Sequence, residues 1–255
     1  MSGSSLTARS TFVMSITEII FLAGFIVALG HFIKGLSGFA SALFAIPLLA
    51  LFLDIKFVVP VFLLFDFISG LILTIQTRKS INKNEVLLLL SGLIFGTGIG
   101  TFILVSFGNE LLKRIFGVFV ILFALKILIW DNENGKRQIS KIWAPVSGFV
   151  GGCVGGMFGL NGPPMVLYLA HQVKDKQIFR ATLYGVFFVD ACYRLILYSF
   201  SQLITLEVVK FALYLTPFLL VGLFLGTKLH AKINESIFKK IIGLILTVTG
   251  IFLVI

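Results

Sequence analysis

The chain has 255 residues, of which 58% are hydrophobic, with a mean hydropathy of +1.07, and only 13% are charged. A soluble domain of this size cannot hide so much apolar surface, so the composition specifies a polytopic membrane protein. Lys and Arg outnumber Asp and Glu by 21 to 11, but they sit in short loops between apolar runs, as the positive-inside rule requires, which argues against nucleic acid as a partner.

Residues 1–15 form a polar tail with Arg9 as its only charge, and the long apolar run that follows does not read as a cleaved leader. A first membrane repeat is expected over 16–130, with apolar runs at about 16–33, 35–53, 57–77, 85–107 and 111–130. His31 and Lys34 close the first run, one helical turn apart on one face. Gly35-Leu-Ser-Gly38 then predicts a break before a short proline-bearing helix. Asp66 lies mid-run with no basic residue nearby in the chain, so it is a candidate carrier of a coupling proton. Gly96 and Gly100 have the spacing of close helix packing.

A basic linker over 131–141 is read as cytoplasmic, and a second repeat is expected over 142–255, with runs at about 142–158, 160–172, 178–200, 207–227 and 237–255. From Ile142 to Ala170 no side chain is charged, and one continuous helix of that length would be about 43 Å long against a hydrocarbon core of about 30 Å. The segment is therefore predicted to be two short helices broken at Gly159-Leu-Asn-Gly162, with Pro163 and Pro164 opening the second. Tyr168 and His171, at its end, read as interfacial anchors. Asp190 and Arg194 are four residues apart and share a helical face. They can neutralise each other as a structural pair, or Arg194 can face a cavity as an anion ligand, with Asp190 a second proton-coupling candidate. Gly222 and Gly226 repeat the packing motif.

The two halves resemble each other. Gly35-Leu-Ser-Gly38 matches Gly159-Leu-Asn-Gly162 at an offset of about 124, and Asp66 falls on Asp190 at the same offset; Asn109-Glu110 pairs with Asn234-Glu235 at about 125. Loops around 78–84, 136–141, 174–180 and 228–240 are basic, whereas those around 54–56, 106–114 and 201–206 carry little charge. Equivalent loops thus have opposite bias, which predicts inverted topology with both termini outside, whether or not the short pairs are re-entrant. The expected fold is all-α, with two inverted repeats of four to five helical segments each.

These residues, Gly35-Leu-Ser-Gly-Phe-Ala-Ser-Ala-Leu-Phe-Ala-Ile-Pro47 and Gly156-Met-Phe-Gly-Leu-Asn-Gly-Pro-Pro164, resemble the TauE/SafE family of sulfite and organosulfonate exporters, and the resemblance runs from Ile19 onward. It implies a prokaryotic inner-membrane permease for small sulfur-containing anions. The first half departs from the family's usual triple glycine, having Phe39-Ala40-Ser41-Ala42 there.

No metal, cofactor or catalytic arrangement is expected: His31, His171 and His230 are scattered, Cys153 and Cys192 lie in apolar runs, and no phosphate loop occurs. The sequence therefore predicts a secondary transporter, not an enzyme. Its anion would sit between helix N-termini at the two breaks, contacted by Lys34, Ser37, Gly38, Ser41, Asn161, Gly162 and Arg194. Alternatives are an anion channel with the same constriction and a carrier of small carboxylates. The proton is the candidate coupling ion, lipid surrounds the protein, and a homodimer is one option for its assembly.

Overall fold

The computed structural model describes residues 16–37, 41–129, 139–229 and 235–255. The polar tail 1–15, Gly38, Asn234 and most of the linker lie outside the described residues, as does the side chain of Ser37. The described chain is helical throughout: α1 (Ile16–Ser37), α2 (Ser41–Ala50), α3 (Ile55–Thr77), α4 (Lys83–Ser106), α5 (Asn109–Ile129), α6 (Trp143–Phe158), α7 (Gly162–Gln172), α8 (Lys176–Phe200), α9 (Leu206–Leu229) and α10 (Glu235–Val254). A single turn of 3₁₀ helix, Arg78–Ser80, follows α3. Among the described residues, five helices are long and apolar enough to cross a membrane: Thr17–Leu36, Ile55–Ser80, Lys83–Ser106, Lys176–Phe200 and Leu206–Lys228. Large apolar side chains such as Phe95, Phe102 and Leu213 point outward, as lipid-facing residues do, while charged groups are found inside.

Both glycine-rich segments break their helices. In the second, α6 stops at Phe158, Gly159 takes a left-handed conformation at φ 74°, and α7 restarts at Gly162 with prolines in its first turn. Among the described residues Gly159 is the glycine with positive φ, which a residue with a Cβ rarely adopts. In the first, α1 continues through Lys34 and Gly35 to Ser37, further than the sequence suggested, so Lys34 lies within its last helical turn. Pro47 sits inside α2 and does not open it. The two short helices have 10 and 11 residues, about 15–17 Å each, half the thickness of a bilayer core.

The principal packing pairs map onto themselves when α1–α5 is exchanged with α6–α10. Helix α4 packs on α6 as α9 packs on α1, while α3 meets α8 and α5 meets α10. In the α4–α6 pair Gly92, Gly96 and Gly100 lie on the backbone carbonyls of Pro145, Phe149 and Cys153. In return Gly148, Gly152 and Gly156 lie on those of Leu89, Leu93 and Thr97. A methyl group at any of these six positions would overlap main-chain atoms of the neighbour. Gly222 and Gly226 meet the carbonyls of Ala28 and Phe32 in the same way, and Gly117 and Gly250 face each other in α5 and α10. Dispersion between backbones drives such contacts in lipid, where apolar side chains gain nothing by leaving the bilayer.

Helix α7 is pinned by a buried polar contact. The Tyr168 hydroxyl donates to Glu85 Oε2 at 2.9 Å, and both residues are buried. Tyr168 is thus a core residue of α7, not the interfacial anchor its position suggested, because α4 and α8 close over that end of the helix. His171, whose Nδ1 donates to Leu167 O at 2.8 Å, stays at the edge. Tyr168→Phe is expected to lower stability by about 1–3 kcal/mol in a detergent unfolding titration, since the Glu85 carboxylate loses its buried donor.

Candidate functional site

Four ionised side chains meet where the two breaks approach each other. Lys34 reaches from the end of α1 to α3, where its Nζ donates to Asp66 Oδ1 at 2.9 Å and to Ser69 Oγ at 2.8 Å. Ser69 in turn donates to Phe65 O at 2.6 Å. On α8, Arg194 Nε donates to Asp190 Oδ2 at 2.7 Å, and its Nη2 lies 3.6 Å from Asp66 Oδ2. The result is one continuous chain, Lys34–Asp66–Arg194–Asp190, drawn from three helices.

The two carboxylates have different surroundings. Asp190 is fully buried and accepts from Arg194, from Thr97 Oγ1 at 2.8 Å and from Asn161 Nδ2 at 2.8 Å. Asp66 keeps 16% of its side chain accessible and lines a cavity. Asp66, with no basic residue near it in the chain, is paired in space with both Lys34 and Arg194. Their partnership was invisible in the chain because they lie 32 and 128 residues away, on other helices.

The cavity has a volume of about 40 Å³ and is lined from the first break by Lys34 and Ser41, from the second by Gly159 to Pro163, and by Asp66 and Phe187. This is room for a few water molecules. Asn161 and Gly162 lie on its wall, although the amide nitrogen of Asn161 is engaged by Asp190. Pro163 and Pro164 have no N–H, so α7 opens with few backbone donors and the positive charge near the cavity is carried by side chains. Arg194 stands behind the second break: a Cβ built on Gly159 would be 3.6 Å from its Nη1. That nitrogen is buried with no well-formed hydrogen bond, the Tyr198 hydroxyl beside the guanidinium donating instead to Gly156 O, although the other two nitrogens are paired. A buried, unsatisfied, charged donor is costly and marks a place for an acceptor.

Of the residues singled out in the sequence, Lys34, Ser41, Asp66, Asn161, Gly162, Asp190 and Arg194 are brought together here. Gly38 and the Ser37 side chain lie outside the described residues. Ser69 and Thr97 were missed. Ser69 follows Asp66 by three residues, a helical-face signal that was available, whereas Thr97 comes from α4 and nothing local points to it. His31 is fully buried, its ring stacked on Phe62 at 6.1 Å between centroids and edge-on to Phe65 at 5.7 Å, with Nδ1 donating to Val27 O. No cluster of metal-ligating side chains is found among the described residues.

Comparison with known proteins gives one result. A family model described as "Sulfite exporter TauE/SafE" matches residues 20–253. No curated protein and no solved structure matches the chain.

Proposed function

Because the chain belongs to the TauE/SafE family of sulfite exporters, we propose that it is a secondary transporter that exports a small sulfur-containing anion, sulfite or a short organosulfonate, by alternating access. The observation that carries this reading is the Nη1 of Arg194, buried against Gly159, which forms part of the wall of a cavity that Lys34 also lines. Two cations and the Ser41 hydroxyl suit an oxyanion with several acceptor oxygens. Ser37 and Gly38 remain candidate contacts on the sequence alone, and the exchangeable packing of the two halves supports inverted repeats closing on one central site. The small cavity supports sulfite over extended sulfonates, for which the breaks must separate further. The protein would lie in a prokaryotic cytoplasmic membrane with both termini outside.

The test is a thermal-shift and flux screen of the purified protein in liposomes, with sulfite, methanesulfonate, sulfoacetate, sulfate and acetate. Sulfite or methanesulfonate is expected to stabilise the protein, to saturate and to counter-exchange, behaviour that an open pore does not show. Lys34→Ala is expected to weaken anion binding about tenfold or more, the worth of one charge-assisted hydrogen bond. If no anion in the panel moved or stabilised the protein, this reading would fail.

A further inference from the structure

The charge count of the buried cluster constrains what must accompany the anion. Lys34 and Arg194 contribute two positive charges, Asp66 and Asp190 two negative ones, and the side chains are between 0 and 16% accessible. The resting cluster is therefore neutral. A bare anion added to it would leave one uncompensated negative charge at a site shielded from water, which is expensive in a low-dielectric interior. A compensating positive charge has to enter with it. A proton has its acceptor already in place, the cavity-facing carboxylate of Asp66.

Resting on the proposed anion-carrier function, we infer that one proton enters with each monoanion, that Asp66 takes it, and that transport is therefore electroneutral. The geometry distinguishes the two carboxylates. Asp190 is sealed and saturated by three donors, whereas Asp66 faces the cavity and is held by Lys34 and, more loosely, by Arg194. From α1 it faces Lys34 and His31, and from α8 Arg194, Asp190 and Tyr198; α2 adds the Ser41 hydroxyl and apolar side chains. A hydronium ion in the cavity gives its proton to an Asp66 carboxylate oxygen and leaves as water. The neutral acid then releases Lys34 Nζ and Arg194 Nη2, and the anion takes the position of the departed charge. Its oxygens accept from Lys34 and from the Arg194 Nη2 that Asp66 has released. Loaded and empty forms both carry zero net charge, so either can reorient. The form with anion but no proton, and the form with proton but no anion, each bury one unpaired charge and do not.

The consequence is a symporter indifferent to membrane potential, whose direction is set by the anion gradient together with the pH gradient. Methanesulfonate, a permanent monoanion, is the main probe, and isotopically labelled sulfite the second, with the leak through protein-free liposomes subtracted. Proton and anion movements are recorded with an internal pH dye and a potassium–valinomycin potential clamp. One proton per methanesulfonate is expected, with accumulation unaffected by the clamp. Uncompensated movement of the anion would shift accumulation about fifty-fold per 100 mV and, with no proton flux, would overturn the inference while leaving the carrier intact. If neither anion moved in the wild-type protein, the carrier reading itself would fall, and this inference with it. Asp66→Asn, a fixed mimic of the protonated acid, is expected to keep the anion-induced thermal shift and anion-for-anion exchange, and to lose net uptake and proton flux. Net transport with unaltered pH dependence in that variant would overturn the assignment to Asp66, and the same losses in His31→Gln with an unaffected Asp66→Asn would move the proton to His31.

Discussion

Arg194→Ala is expected to abolish anion transport and to destabilise the folded protein by about 3–5 kcal/mol, the scale of removing one member of a buried ion pair. Arg194 satisfies Asp190 at 2.7 Å and lies 3.6 Å from Asp66. Without it, Asp190 keeps only the donors from Thr97 and Asn161, and the cluster carries a net negative charge opposed to any anion. Loss of function alone would not separate ligand from strut. The double variant Arg194→Met with Asp190→Leu does so: removing both partners takes away the buried unpaired charge, and much of the stability is expected to return. Transport is expected to remain absent, because the guanidinium is gone. Recovery of transport together with stability would show that Arg194 serves only to hold α8 in place. Unfolding in detergent and counter-exchange in liposomes are the two measurements.

Two glycines separated by one residue should respond in opposite directions to the same substitution. At Gly96 a methyl group would overlap the carbonyl of Phe149 and come within 2.9 Å of Cys153 N. The α4–α6 contact must open to admit it, and Gly96→Ala is expected to cost about 3 kcal/mol, at the upper end for overpacking. At Gly98 the nearest atom to a built Cβ is Tyr193 Oη at 3.7 Å, an ordinary contact. Gly98→Ala is expected to raise stability by about 0.5–1 kcal/mol, because it restricts the unfolded backbone without disturbing a neighbour. Equal effects at the two positions would mean that the glycine face of α4 is not the determinant of its packing.

The breaks were legible because glycine and proline act locally. Gly159 and the prolines after Asn161 stop one helix and start the next through their own backbone preferences, and the length of the charge-free run left no other solution. Lys34, Asp66, Asp190 and Arg194 were conspicuous for a similar reason, since charge in an apolar run is rare enough to be noticed without knowing what surrounds it. Their partners were not legible. Asp190–Arg194 could be read from a spacing of four, but Lys34–Asp66 joins two helices and Thr97–Asp190 spans 93 residues. The Tyr168–Glu85 bond escaped for the same cause: Tyr168 looks interfacial by its place in the chain, and Glu85 looks like an ordinary first-turn acid at the start of α4. A polar residue's position announces that it needs a partner, while only the packing of helices decides which one it gets.

The glycine faces also bear on how the protein is made. Helix α1 finds its main partner in α9, which the ribosome reaches some 170 residues after α1 is complete, whereas α4 waits only for α6, a few tens of residues on. Newly inserted α1 therefore waits, with the face that α9 will cover left open, until nearly the whole polypeptide has emerged. Chains released early, after α5 or even after α8, would hold a groove that nothing in the nascent product can fill. Supplying the missing helices as a separate polypeptide is expected to stabilise such fragments.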